Sequence, residues 1–137
     1  MEDVARVRKH FETDALAKLL GMELLDVAPG RATVRMEVRP EHLNTFGTAH
    51  GGTIFALADY AFEVAGNSHG TVAVALNVDI SFLKAVGLET ITAEAKEVSA
   101  GNRVRHYDIT VTNEAGEAVA FFHGIVYRKR DQIAWPE

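Results

Sequence analysis

The chain has 137 residues, 47% of them hydrophobic and 24% charged, with a net charge of −5. That length sustains one globular domain, residues 1–137, and the negative balance argues against a nucleic-acid footprint spread over the surface. Cysteine is missing, which excludes disulfides, thiolate catalysis and cysteine-ligated metals.

The opening MEDVARVRKHFETD mixes both charge signs and lacks the apolar core of a secretory leader. No window holds about 18 uninterrupted apolar residues, so a soluble cytoplasmic protein without a membrane partner is expected. Residues 3–20 predict one helix. Val4, Val7, Phe11, Ala15 and Leu19 recur at spacings of three or four, and Gly21 is the stop. The period then changes. MELLDVA meets the turn pair Pro29-Gly30, and RATVRMEVR alternates apolar with polar, which predicts a hairpin with one buried face that ends at Pro40.

Residues 41–50 (EHLNTFGTAH) read as a polar loop, and residues 51–65 as a helix that is apolar nearly all round and therefore buried on most sides. Strands follow at 71–83, 89–99, 103–113 and 117–129, separated by turns at 100–102 and 113–116. Short turns make antiparallel neighbours. The tail DQIAWPE is expected to be peripheral. The fold class is thus α+β, one antiparallel sheet wrapped around a single long central helix, with a helix at the N-terminus.

The chemistry gathers on HGGTIFALADYAFEVAG, His50 to Gly66. Gly51 and Gly52 place unencumbered N–H groups at the start of the buried helix, where the dipole end is positive. Such an end holds an anion, or a carbonyl oxygen that becomes negative during reaction. Tight packing alone also explains a glycine pair, so both readings stand on the pattern. No GxxxxGK sequence is present, which excludes a P-loop.

Asp59 sits inside the apolar helix with Glu63 as its only charged neighbour at helical spacing, and the two have the same sign. Asp59 either shares a narrow solvent stripe with Glu63 or serves as a general base or nucleophile in a cleft. Gly51 and Asp59 lie eight residues apart, about 12 Å along the axis, too far to act on one carbonyl from the same helix. If both serve one site, Asp59 must come from a second chain, with two antiparallel helices related by a two-fold. The remaining histidines, His10, His42, His69, His106 and His123, show no metal-binding spacing, and no metal is expected.

HLNTFGTAHGGTIFALAD, followed by AFEVAGNSHG and by VDISFLKAVGLETITAEAKEVSAGNRVRHYDITVTNEAGEAVAFFHGIVYR, closely resembles the PaaI-type hotdog-fold acyl-CoA thioesterases. The likeness rests on Asn44, His50-Gly51-Gly52 and Asp59 at these spacings. It implies acyl-CoA as substrate, with coenzyme A a part of that substrate and no separate cofactor. It also implies a homodimer with shared active sites, assembled into a homotetramer as a dimer of dimers. It assigns Asp59 to activating water or attacking the thioester carbonyl, and the Gly51 N–H of the other subunit to that carbonyl. Asn44 is to help place the nucleophile, and His50 to support the loop and contact the carbonyl.

Some relatives carry a Ser or Thr on the strand after the helix; this chain reads ALNVDI there, with Asn77 the nearest polar residue. The phosphates of coenzyme A need cations at the pocket mouth, for which Lys84 and Arg103 are candidates. Gly52 and Phe46 are further candidates for substrate contact, and Phe62 and Tyr60 join Phe46 as candidate walls of an aromatic pocket. Phenylacetyl or hydroxyphenylacetyl thioesters are the substrates the resemblance favours. The competing readings are a non-catalytic acyl-CoA-binding module and a hotdog hydroxyacyl dehydratase.

Overall fold

The computed structural model describes residues 2–135. The elements run α1 (Glu2–Phe11), α2 (Ala15–Leu20), β1 (Glu23–Ala28), β2 (Arg31–Glu37), a 3-10 turn (Pro40–His42), α3 (Gly51–Asn67), β3 (Thr71–Phe82), β4 (Thr90–Ala100), β5 (Val104–Thr112) and β6 (Ala118–Gln132). The six strands form one antiparallel sheet in the order β1-β2-β4-β5-β6-β3, with α3 packed along its inner face.

The expected N-terminal helix is two helices. Asp14 breaks it: its side chain accepts the Ala17 N–H at 2.9 Å and caps α2, while Thr13 turns its hydroxyl back to the His10 carbonyl. The predicted apolar stripe therefore stops at Phe11. Val7 and Phe11 are buried, but Ala15 and Leu19 lie on the exposed side of α2, and Ala17 takes the inward position. Gly21 ends α2 in the left-handed region, φ 75°, as its place after the last apolar residue implied. Arg8 donates to the carbonyls of Leu24 and Leu25, and Tyr60 donates to the Phe11 carbonyl, so α1 is tied to both β1 and α3.

The central helix runs two residues longer than read from the sequence. Its buried residues include Ile54, Leu57, Ala58, Ala61, Phe62, Val64 and Ala65, each facing sheet or N-terminal helix. Fully burying a Leu, Phe or Val contributes about 1.5–3 kcal/mol each, so this helix anchors the core. Strand positions that alternate in the sequence alternate in burial: Ala32, Val34 and Met36 of β2 face the same core as Ile91, Ala93 and Ala95 of β4.

One further expectation changes, and the strand order adds a feature that the sequence reading did not address. β3 and β4 are consecutive yet not neighbours; the connection between them crosses the sheet, pinned by buried Val86, whose carbonyl accepts the Ala49 N–H. β3 instead pairs with β6 and forms an edge, displaying Val74 and Leu76 to solvent. The tail is not peripheral. β6 continues to Gln132, Ile133 is buried with its N–H on the Gly70 carbonyl, and the Trp135 ring meets His10 edge-on at 6.0 Å. The last two residues of DQIAWPE lie outside the described residues.

Candidate active site

The loop before α3 is built around Asn44. Its Oδ1 accepts the Phe46 N–H at 2.9 Å and the Thr48 N–H at 3.2 Å, and its Nδ2 donates to Thr48 Oγ1 at 3.0 Å. Asn44 thus folds residues 44–48 into a turn and so delivers the chain to His50. His50 is the N-cap of α3. Its ring Nδ1 accepts the Gly52 N–H at 2.9 Å, and its own N–H reaches the His42 carbonyl at 2.9 Å. With Nδ1 accepting, a neutral His50 carries its proton on Nε2, which leaves that edge of the ring as a donor.

The cap divides the two glycines. Gly52 gives its N–H to His50, and no acceptor among the described residues pairs with the Gly51 N–H. Gly51 therefore holds the available donor at the positive end of α3. It opens onto a groove of about 320 Å³ lined by Ile54, Phe82, Leu83 and Lys84 among others. A Cβ added there would stand in ordinary van der Waals contact with the Phe82 ring, 3.4 Å away.

Asp59 lies in a different groove. That cavity, of about 360 Å³, is lined by Asp59, Phe62, Glu63, Asn67, Ala73, Val74, Ala75 and Val126. Burial raises the Asp59 carboxyl above the ordinary carboxylate range, and the nearby charge of Asp14 raises it further. Glu63, one turn on, is pushed up to about 7 by burial, then by Asp14 and Asp59. The split of the N-terminal helix has a consequence here, since the residue that breaks it supplies the negative charge beside α3.

The two grooves share no lining residue. Gly51 and Asp59 occupy opposite stretches of one helix, about 12 Å apart on the helical rise, as the spacing required. One chain brings together Asn44, His50, Gly51 and Gly52; Asp59 stands away from them with Phe62 and Glu63.

The remaining candidates disperse. Phe46 is 89% exposed at its loop tip, and Tyr60 points its hydroxyl at α1, so only Phe62 of the three proposed aromatic walls borders the Asp59 groove. Asn77 is exposed on β3 opposite Ile125. Lys84 lines the Gly51 groove and pairs with Glu117 at 2.6 Å. Arg103 donates to the Arg128 carbonyl at 3.3 Å at the far turn. The sequence offered Glu63 only as a companion of Asp59 on a solvent stripe, and Asn67 was not singled out. The signal was present, as positions 59, 63 and 67 follow one another at the four-residue spacing of a single helix face.

The sequence matches the thioesterase superfamily over residues 46–120. Acyl-coenzyme A thioesterase PaaI of Escherichia coli is 40% identical over 119 residues, 86% of this chain and 85% of that one. The solved structure of the E. coli PaaI protein, from the phenylacetic acid degradation operon, superposes with a TM-score of 0.90 at 35% identity, covering 96% of this chain and 99% of that chain. A 1,4-dihydroxy-2-naphthoyl-CoA hydrolase of Listeria monocytogenes is 30% identical over 104 residues, 72% of this chain and 83% of its own. A hypothetical thioesterase of Streptococcus pneumoniae, solved with coenzyme A, superposes with a TM-score of 0.84 at 28% identity, covering 91% of this chain and 98% of that chain.

Proposed function

The chain belongs to the thioesterase superfamily, as a PaaI-type hotdog thioester hydrolase, and from that premise we propose that it releases coenzyme A from small aromatic acyl-CoA thioesters. Two relatives support the aromatic acyl group: one comes from a phenylacetic acid degradation operon, and the other hydrolyses a naphthoyl-CoA. Phe62 and the small side chains Ala73 and Ala75 give the Asp59 groove an apolar wall suited to a flat ring.

The carrying observation is the division of one helix between two grooves, with an unpaired Gly51 N–H in one and a half-buried Asp59 carboxyl in the other. In a two-fold dimer with antiparallel copies of α3, Asp59 of one subunit meets the partner's Gly51. The long edge strand β3, with Val74 and Leu76 exposed, supports such pairing, because an uncovered apolar edge is otherwise a site of uncontrolled association. Two such dimers form the tetramer of this reading.

Asp59 takes a proton from water as the oxygen adds to the thioester carbonyl carbon. The carbonyl oxygen becomes negative against the partner's Gly51 N–H, a donor whose loss costs about 3 kcal/mol of transition-state stabilisation in comparable sites. The carbon–sulfur bond then breaks and the thiolate of coenzyme A departs. No cofactor takes part; coenzyme A enters and leaves as substrate and product. Asn44 and His50 act through the loop and the cap that hold Gly51 in place. Lys84, beside the Gly51 groove, is the better placed of the two cations for the coenzyme's phosphates.

The test is free-thiol release from a panel of aryl and alkyl acyl-CoAs by wild type and Asp59→Asn. Loss of turnover of about a thousandfold or more in the variant is expected, with aryl thioesters turned over fastest in the wild type. Full turnover by Asp59→Asn removes Asp59 from the reaction.

A further inference from the structure

Glu63 stands four residues after Asp59, on the same face of α3 and in the same cavity. Such neighbours lie about 5–6 Å apart between their Cβ atoms, close enough for both carboxyls to hold one water. The third polar residue of the cavity is spent. Asn67 donates to the carbonyls of Glu63 and Ala73 and accepts the Ala73 N–H, so its amide fixes the start of β3 on the end of α3. The other walls are Phe62, Ala73, Val74, Ala75 and Val126, none of them charged. The two carboxyls are therefore the polar groups left to act there, among the described residues.

Among the described residues, the charges that act on Glu63 are negative: Asp14 from the cap of α2 and Asp59 from its own helix. Strands β3 and β6 present no cation to it among the cavity-lining residues. Two carboxylates this close, without a cation, resist both being ionised, and one proton stays with the pair near neutrality. Burial and like charge push Glu63 up to about 7 and raise Asp59 as well, so near neutrality the pair shares a proton.

We propose that Glu63 is a positioning residue for the hydrolysis. Its uncharged carboxyl holds the attacking water against the Asp59 carboxylate, and its ionisation shuts the site by placing a second negative charge beside the developing oxyanion. This inference rests on the reading of Asp59 as the base. The direction of its effect follows from the order of titration. For Glu63 to act in this way, Asp59 must be ionised while Glu63 is still neutral, so removing Glu63's charge should leave the acidic limb of the rate profile where it is. The alkaline limb belongs to Glu63.

The test is kcat/KM for thiol release by wild type, Glu63→Gln and Asp59→Asn from about pH 5 to about pH 9. The wild type should show a bell whose alkaline limb lies near 7. Glu63→Gln should keep the acidic limb and lose the alkaline one, outpacing the wild type about a hundredfold near pH 9. A purely structural Glu63 would lower the whole curve without changing its shape, and that result overturns the inference. So does a wild-type profile flat through neutrality, or an alkaline limb that survives in Glu63→Gln. An active Asp59→Asn would instead sink the reading of Asp59 and is told apart by that variant alone. If Glu63→Gln fails to fold, carbon-detected NMR titration of the Glu63 carboxyl in the wild type decides. A midpoint near 7 upholds the inference, and one in the ordinary carboxylate range ends it.

Discussion

Gly124 on β6 is where the sheet and the site meet. A Cβ added there would sit 2.5 Å from two carbons of the Phe62 ring. Ordinary contact begins near 3.4 Å, so the ring or the strand must move by about an ångström. Phe62 is 1% exposed and its ring packs on Phe122 at 5.6 Å and Tyr107 at 5.9 Å, so it can yield only towards the Asp59 groove that it borders. Overpacking of this kind costs about 1–3 kcal/mol, and a rigid ring held on two sides puts Gly124→Ala at the upper end, about 3 kcal/mol. Gly87→Ala is the control, since nothing lies within 4 Å of its added Cβ and its backbone is unstrained. Urea unfolding should show a large fall in midpoint for Gly124→Ala and about none for Gly87→Ala. Adding Phe62→Leu should recover part of the loss, a coupling that two independent changes would not show. A Gly124→Ala midpoint within about 0.5 kcal/mol of wild type would refute the packing described for this face.

Two other outcomes follow from the cap and the paired carboxyls. His50→Ala removes the acceptor for the Gly52 N–H and should cost about 1 kcal/mol in urea unfolding, whereas His50→Asn, a strong N-cap, should retain most of it; equal losses would deny the cap its role. Glu63 has its folded carboxyl raised from 4.5 to about 7, so its contribution to stability is complete below the unfolded value and fades as pH rises through the folded one. Because the group is solvent-exposed at its edge, the wild type should lose only about 1 kcal/mol relative to Glu63→Gln across that window, read from unfolding midpoints at several pH values.

The sequence made α3 legible because its apolar residues surround the helix, and made β2, β4 and β5 legible because one face is buried and the other wet. It concealed the break at Asp14, a residue that reads equally as an exposed helix position and as a cap; only the turn at Thr13 settles which. It also concealed the crossover between β3 and β4, since neighbouring strands are chosen by how the sheet closes on α3 and not by chain order. At the site, the glycines and Asp59 stood out by their types within an apolar run. Glu63 did not, because a second carboxylate one turn away looks like a solvent stripe until the cavity that both border is seen. The histidine at position 50 is prominent in the sequence, yet its hydrogen bond to Gly52, and so the singling out of Gly51 as the available donor, is a matter of ring placement.

The claim at the centre of the account is that Asp59 of one subunit works with the partner's Gly51. Asp59→Asn removes the carboxylate, and Gly51→Pro removes the single N–H at a first-turn position where proline is compatible with the helix. Each variant alone should be inactive in thiol release from an aryl-CoA. Unfolded together, mixed in equal amounts and refolded, half the dimers carry one of each subunit, and each of those holds one intact site, so about a quarter of wild-type activity should return. A mixture as inactive as its components would contradict the shared site.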